Sequence, residues 1–173
     1  MTKTTRFAPS PTGALHIGGV RTALFNYVYA KQNKGMFLIR IEDTDAERST
    51  REHEENILKG LSDIGINPDK PPVRQSERSE LYKHAAQILI DSGKAYYCNC
   101  SKERLDEMRS NQQSKGLKPQ YDGKCRDLNL KADPTTVLRL KTPQDGELIF
   151  HDLVRGEVVF QNSELDDLIL LRS

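Results

Sequence analysis

Arg6-Phe7-Ala8-Pro9-Ser10-Pro11-Thr12-Gly13-Ala14-Leu15-His16-Ile17-Gly18-Gly19 joins a strand-like entry to a helical exit. Thr4 to Ala8 reads as a short strand, stopped by Pro9 and Pro11. From Gly18 to about Asn33 the apolar spacing is helical, with Val20, Leu24, Tyr27 and Val28 on one face, and Gly35 ends that helix. Met36 to Ile41 is then a mostly apolar run of strand length, as in a parallel sheet buried on both faces. These pieces make a β-α-β unit, which predicts an α/β fold with a parallel sheet.

Working outward, Ser49 with Glu52 reads as a capping box. The helix that follows has Ile57, Leu58, Leu61 and Ile64 on its apolar face and stops at Gly65. Pro68, Pro71 and Pro72 mark a loop. A third helix runs from about Glu77 to Gly93, with Leu81, Ala85, Ile88 and Leu89 inward. Beyond Gly93 the texture changes. A cysteine segment comes first and is polar and charged between Cys100 and Tyr121. Short β-type runs follow at Thr136 to Leu140, Glu147 to Phe150 and Val158 to Gln161, with turn signals at Asp145-Gly146 and Arg155-Gly156. The boundary therefore falls near residue 94, giving regions 1–93 and 94–173.

Bulk properties bound the function. The chain has 173 residues, a net charge of +1 and a mean hydropathy of −0.67. No global basic field advertises a nucleic-acid partner, so any RNA contact must come from local patches. No apolar run approaches the roughly 18 residues of a membrane span, and the first residues carry no apolar signal segment, so no membrane partner is expected and the expected location is cytoplasmic. Three cysteines, Cys98, Cys100 and Cys125, argue against a disulfide framework and towards metal.

Parallel α/β sheets place ligands at the carboxyl ends of their strands. Two motifs lie at such ends: Pro9 to Gly19, and Glu42-Asp43-Thr44-Asp45. Gly18 and Gly19 allow a nucleotide close to the backbone. The helix they open offers free N–H groups and a positive dipole end. His16 could donate to a phosphate oxygen as charge moves during nucleotidyl transfer. Taken alone, His-x-Gly-Gly also fits an ordinary strand-to-helix turn with a surface histidine. Glu42, Asp43 and Asp45 equally fit a solvated acidic loop paired with Arg48 and Arg51.

The whole pattern resembles the glutamyl-tRNA synthetase family of class I aminoacyl-tRNA synthetases. Arg6 to Gly13 and His16 to Gly18 match its first signature, and Arg21-Thr22-Ala23-Leu24-Phe25-Asn26 matches the continuation. Arg40 to Asp45 followed by Arg48-Ser49, Gln75 to Arg78, and Glu164 to Asp167 look like later family elements. The signature's usual fourth letter is histidine, where this chain has Gly19, a glycine also found among bacterial glutamyl enzymes. The run Pro9-Ser10-Pro11-Thr12-Gly13 departs from glutaminyl enzymes. Arg21 to Asn26 and Glu42 to Asp45 favour the full synthetase over the short glutamyl-queuosine tRNA(Asp) homologue.

The resemblance implies the first half of a class I Rossmann-type sheet, followed by the start of an inserted α+β, zinc-containing region that binds the tRNA acceptor stem. It implies ATP-dependent ligation of L-glutamate to tRNA(Glu) through a glutamyl-adenylate, with Mg²⁺ accompanying ATP. Arg6 would grip a glutamate carboxylate, a task suited to a planar charged fork. Ser10 would hydrogen-bond the same amino acid, Glu42 would accept from its ammonium group, and Ala8 completes that set. Thr12, His16, Gly18 and Gly19 would serve ATP, with His16, Gly18 and Gly19 closest to the chemistry. Nothing here resembles the family's second, lysine-rich signature or an anticodon-binding domain. An amino-terminal piece, inactive alone, is expected.

Cys98-x-Cys100 and Tyr121-x-x-x-Cys125 offer three thiolates and an oxygen, a set that favours zinc. Three unrelated reduced cysteines would give the same letters. Relatives with zinc in this region take the fourth ligand from the tyrosine or from a histidine two residues after the last cysteine, where this chain has Asp127. Tyr121 is preferred. A stand-alone zinc-stapled RNA-binding module without catalysis is the competing reading. Lys102, Arg104, Arg109, Lys115 and Lys118 support it, while Glu103, Asp106 and Glu107 weaken it.

Overall fold

The computed structural model describes residues 2–172. They form two compact units, one ending at Leu81 and one beginning at Tyr82. The division falls within the third helix, earlier than the change of texture near residue 94, so most of that helix packs with the second unit.

The first unit opens with β1 (Thr4–Phe7), α1 (Ile17–Gln32) and β2 (Met36–Ile41). β1 and β2 are parallel, in register from Thr4↔Met36 to Phe7↔Ile39. α2 (Arg51–Asp63) follows, and β3 (Val73–Arg74) adds a third parallel strand beside β2. Gly35 makes the α1–β2 turn possible. A Cβ there would lie 2.1 Å from the Lys3 carbonyl oxygen, which is why only glycine fits.

The core of this unit gathers Phe7, Ala23, Ala30, Phe37, Ile39, Ile41, Ile57, Leu61 and Ile66. β2 alternates, with Phe37, Ile39 and Ile41 buried and Met36, Leu38 and Arg40 half-buried. The expectation of two buried faces is thus met on one face only. α1 turns Ala23 and Ala30 inward with Tyr27 beside them, while Leu24 and Val28 are exposed. Its apolar residues run all round the helix, so spacing did not single out a stripe, and the small alanines let it lie close to the sheet. α2 buries Ile57 and Leu61 as expected, but Ile64 lies past its end and is exposed. The cap is Thr50, whose side chain accepts from the His53 backbone N–H at 3.1 Å. Ser49 does not cap, and its hydroxyl is buried without a partner.

The second unit carries α3 (Ser79–Asp91), β4 (Ala95–Cys98), α4 (Lys102–Ser114), β5 (Val137–Leu140), β6 (Glu147–Asp152), β7 (Gly156–Gln161) and β8 (Ile169–Leu171). β4, β5 and β8 form an antiparallel sheet with β5 central, and β6 and β7 form a separate hairpin. α3 buries Ala86, with Leu89 and Ile90 packed nearby, and exposes Leu81, Ala85 and Ile88. The expected inward face is rotated because residues 86, 89 and 90 also fit helical spacing, and contact with β4 and β5 selects them. α4 was not foreseen. Ser101 caps it by accepting from the Arg104 N–H at 3.3 Å, and none of its residues is buried, so it leaves no hydrophobic period to read.

Candidate functional sites: a cleft at a helix start and a thiol cluster

In the first unit, β1 ends and the chain turns over Pro9 to Leu15 before α1 begins. Two hydrogen bonds fix the turn: the Pro9 carbonyl accepts from the Glu42 N–H at 2.8 Å, and the Pro11 carbonyl accepts from the Thr50 N–H at 3.1 Å. Leu15 donates to the Asn56 side chain of α2 at 3.0 Å. A cleft of about 230 Å³ opens above it, lined by Phe7, Ser10, Thr12, Leu15, His16, Gly19 and Ile57, among others. The structure therefore brings Ser10, Thr12, His16 and Gly19 to one cavity. His16 is the residue before α1, in extended backbone, and no side chain caps the helix. No acidic residue sits in its first turn, so the positive end is left open to an anion. The imidazole lies over Gly18, where a Cβ would come within 3.0 Å of its Cε1.

Arg6, Ala8 and Glu42 do not line that cleft. Register and alternation put Arg6, Leu38 and Arg40 on the face of the sheet opposite Phe7, Phe37 and Ile39. Glu42 follows Arg40 by two residues, and its carboxylate accepts from Arg40 at 2.6 Å. The Ser10 hydroxyl donates to the Glu42 carbonyl at 3.0 Å, which ties the two motifs together. The acidic run is not paired as its neighbours suggested. Asp45 does bind Arg48, at 2.5 Å. Asp43, however, accepts from the Ser76 N–H and hydroxyl, at 2.9 and 2.5 Å. Burial pushes the Asp43 carboxyl up, but the two Ser76 bonds, a bond from its own backbone and the Arg74 charge together outweigh it and hold it below the usual range. Glu54, buried in α2, takes Arg74 in a two-pronged pair, a contact that sequence reading missed.

In the second unit, Cys98 ends β4, Cys100 follows two residues on, and Cys125 returns from the loop after α4. Their sulfurs lie within 4.8 Å of one another, Cys100 and Cys125 being 3.6 Å apart. The Tyr121 hydroxyl sits 3.3 Å from Cys98 Sγ and 3.5 Å from Cys100 Sγ, and accepts from the Cys125 N–H at 3.0 Å. Asp127 is elsewhere: its carboxylate pairs with Lys141 at 2.8 Å and is largely exposed. Burial raises the Cys98 thiol, but the Tyr121 hydroxyl, the Cys100 backbone and Arg139 together bring it down to about 7. Burial also raises the Tyr121 phenol well above its ordinary value, as do the three cysteines around it.

A polar network surrounds these groups. The buried Asp167 carboxylate accepts from Tyr96 at 2.5 Å, from Arg126 at 2.6 and 2.7 Å, and from the Thr142 N–H at 3.0 Å. Arg139 of β5 donates to the Asp167 carbonyl at 2.8 Å and lies 4.0 Å over the Tyr121 ring. Arg104 of α4 donates to Cys100 Sγ at 3.5 Å. Sequence reading missed Arg139 and gave Asp167 no role beyond its place in the Glu164 to Asp167 family element. The available signal was an arginine inside the apolar run Val137-Leu138-Arg139-Leu140, because a charge in a strand core requires a partner.

A parallel β-α-β start whose first helix opens, uncapped, on a His-x-Gly-Gly turn defines an α/β domain with a helix start open to an anion at the carboxyl end of its first strand. Residues 3–173 match the family model described as tRNA synthetases class I (E and Q), catalytic domain, and the chain belongs to that family. It is 54% identical over 172 residues to a glutamate–tRNA ligase of Francisella tularensis subsp. novicida (strain U112), covering 98% of this chain and 37% of that protein. It is 53% identical over 171 residues to glutamate–tRNA ligase 1 of Alkalilimnicola ehrlichii (strain ATCC BAA-1101 / DSM 17681 / MLHE-1), covering 98% of this chain and 36% of that protein. Among solved structures, glutamate-tRNA synthetase from Elizabethkingia anophelis superposes with a TM-score of 0.86 at 35% identity, over 99% of this chain and 39% of that one. A glutamate tRNA ligase from Elizabethkingia meningosepticum CCUG26117, solved in complex with its amino acid, gives 0.85 at 35%, with the same two coverages. The chain thus spans a little over a third of the length of these relatives.

Proposed function

We propose that this chain is the amino-terminal part of a glutamate–tRNA ligase and supplies the first half of its adenylate-forming site. The observation that carries this reading is the gathering of Ser10, Thr12, His16 and Gly19 in one cleft at the uncapped start of α1. In this reading a glutamate carboxylate oxygen attacks the α-phosphorus of ATP, supplied with Mg²⁺, and pyrophosphate leaves. A hydroxyl of the 3′-terminal ribose of tRNA(Glu) then attacks the glutamyl-adenylate carbonyl, and AMP leaves. No enzyme nucleophile is needed, so the chain's task is positioning and charge stabilisation. Thr12, His16, Gly18 and Gly19 hold the nucleotide, with His16 donating to the phosphate that gains charge. Arg6, Ala8, Ser10 and Glu42 receive the amino acid. Arg40 already engages one oxygen of Glu42, which fixes the aim of that carboxylate before an ammonium group arrives.

In the same reading Cys98, Cys100, Cys125 and Tyr121 hold a structural zinc ion in the acceptor-stem-binding region 94–173. Zn–S bonds of about 2.3 Å set the sulfurs of a tetrahedral site roughly 3.8 Å apart, which suits the sulfur spacings here. The ion would cross-link β4 to the loop after α4. No helix among the described residues is long and apolar enough to cross a membrane.

The test is titration of the chain with a non-hydrolysable ATP analogue, followed through backbone amide shifts. Gly18 and Gly19 are expected to move first, and His16→Ala to weaken binding by about tenfold, the cost of one charge-assisted hydrogen bond. Shifts confined to residues outside the cleft would overturn the assignment. Glutamate charging of tRNA by this chain alone is expected to be nil, and measurable charging would overturn its reading as an incomplete enzyme.

A further inference from the structure

Arg139 is 3% exposed. Its Nη1 is satisfied by the Asp167 carbonyl, but Nε and Nη2 are buried with no hydrogen-bond partner. No carboxylate pairs with it among the described residues, because the Asp167 carboxylate is spent on Arg126, Tyr96 and Thr142. A fixed positive charge, closed off from water and left without a counter-ion, is costly unless a negative group stands beside it. Its surroundings supply one candidate. Arg139 lies 4.0 Å over the Tyr121 ring, and the Tyr121 hydroxyl touches Cys98, Cys100 and Cys125. Three thiolates and a neutral tyrosine oxygen around a divalent ion carry a net charge of −1.

We infer that Arg139 is the built-in counter-ion of an anionic three-thiolate metal centre, positioned to neutralise it once the ion is bound. The inference rests on the metal-site reading above. Arg104, donating to Cys100 Sγ, is also ion-paired to Asp122 and partly exposed, so its charge is already balanced. Arg139 has no such alternative. The arrangement also explains why an arginine occupies the middle of an otherwise apolar β5. A lysine would keep the charge but lose the flat contact with the Tyr121 ring.

The experiment measures zinc affinity of the whole 173-residue chain by competition with a chromophoric chelator, together with melting temperature with and without zinc. Wild type, Arg139→Gln and Arg139→Lys are compared. Arg139→Gln is expected to bind zinc about 10- to 100-fold more weakly, the usual cost of losing a partner of the metal's ligands, and its zinc-induced rise in Tm should shrink to match. Arg139→Lys should stay within about threefold of wild type, because the charge survives. A purely structural arginine would lower the Tm of Arg139→Gln equally with and without zinc and leave the affinity unchanged, and that result overturns the inference. Equal zinc loss in Arg139→Lys and Arg139→Gln would overturn it too, since charge would then not be the cause. If wild type itself binds no zinc, the metal-site reading fails and this inference falls with it.

Discussion

In the first unit the buried side chains are almost all hydrocarbon, whereas in the second a large share of what is buried is charged, hydroxylic or thiol. Phe7, Phe37, Ile39, Ile41, Ile57, Leu61 and Ile66 fill the space between a parallel sheet and two helices. The interior of the second unit holds Ala86, Ala95 and Leu138, with Tyr96, Cys98, Cys125, Arg139, Thr142 and Asp167 supplying the rest. Hydrocarbon contact is non-directional and forgiving of small shifts, while the polar interior holds only if every partner is present. The first unit is therefore stabilised by area, and the second by completeness.

That contrast can be broken. Stripping the proposed zinc ion from the loaded protein with excess chelator is expected to have the largest effect. Amides of β4 and β5 should lose hydrogen-exchange protection by roughly ten-thousandfold or more, and those of β1 and β2 should keep theirs. Equal loss in both sets would abolish the distinction. Next, Asp167→Ala strands Arg126, Tyr96 and the Thr142 N–H together and should cost about 3–5 kcal/mol in denaturant unfolding. A loss under about 1 kcal/mol would mean the network is not what holds β5 to the segment before β8. Leu61→Ala, in the hydrocarbon interior, should cost about 3 kcal/mol through lost burial and a residual cavity. The smallest pair sharpens a local point. Thr50→Ala should cost about 1 kcal/mol as a lost helix cap. Ser49→Ala should stay within about 0.5 kcal/mol of neutral, because its hydroxyl is already buried without a partner. The reverse order would restore Ser49 as the cap.

The same contrast explains what could be read from the letters alone. β1, α1, β2 and the turn between them were legible because strand, breaker, glycine and histidine are consecutive, and so were the cleft residues Ser10, Thr12, His16 and Gly19. The inward faces of α1 and α3 were not. Ala23, Ala30 and Ala86 win their places by smallness against the sheet, and apolar spacing favours the larger Leu24, Val28 and Ile88. The Arg40–Glu42 pair was hard to read because Arg48 and Arg51 offer competing positive charges to the acidic run, although alternation along a strand puts residues i and i+2 on one side. In the second unit, Tyr96, Arg126, Arg139 and Asp167 meet from four distant stretches, and no local period records such a meeting. α4 has only Leu105 and Met108 to show a face, but Ser101 with Glu103 in the first turn was a readable start signal.

The β6–β7 hairpin has a consequence in time. Its six pairs close across the short turn Leu153 to Arg155, with Phe150 stacked against Phe160 and Asn162 hydrogen-bonded to the Asp145 and Gly146 carbonyls at its base. β4 and β5, by contrast, must join residues as far apart as Ala95 and Leu140. A hairpin forms within about 1–10 μs, and pairing over long separations waits on loop closure and lags well behind. The hairpin is therefore finished early. It shortens the effective loop between β5 and β8, so that the last strand of the sheet reaches its neighbour already halfway delivered.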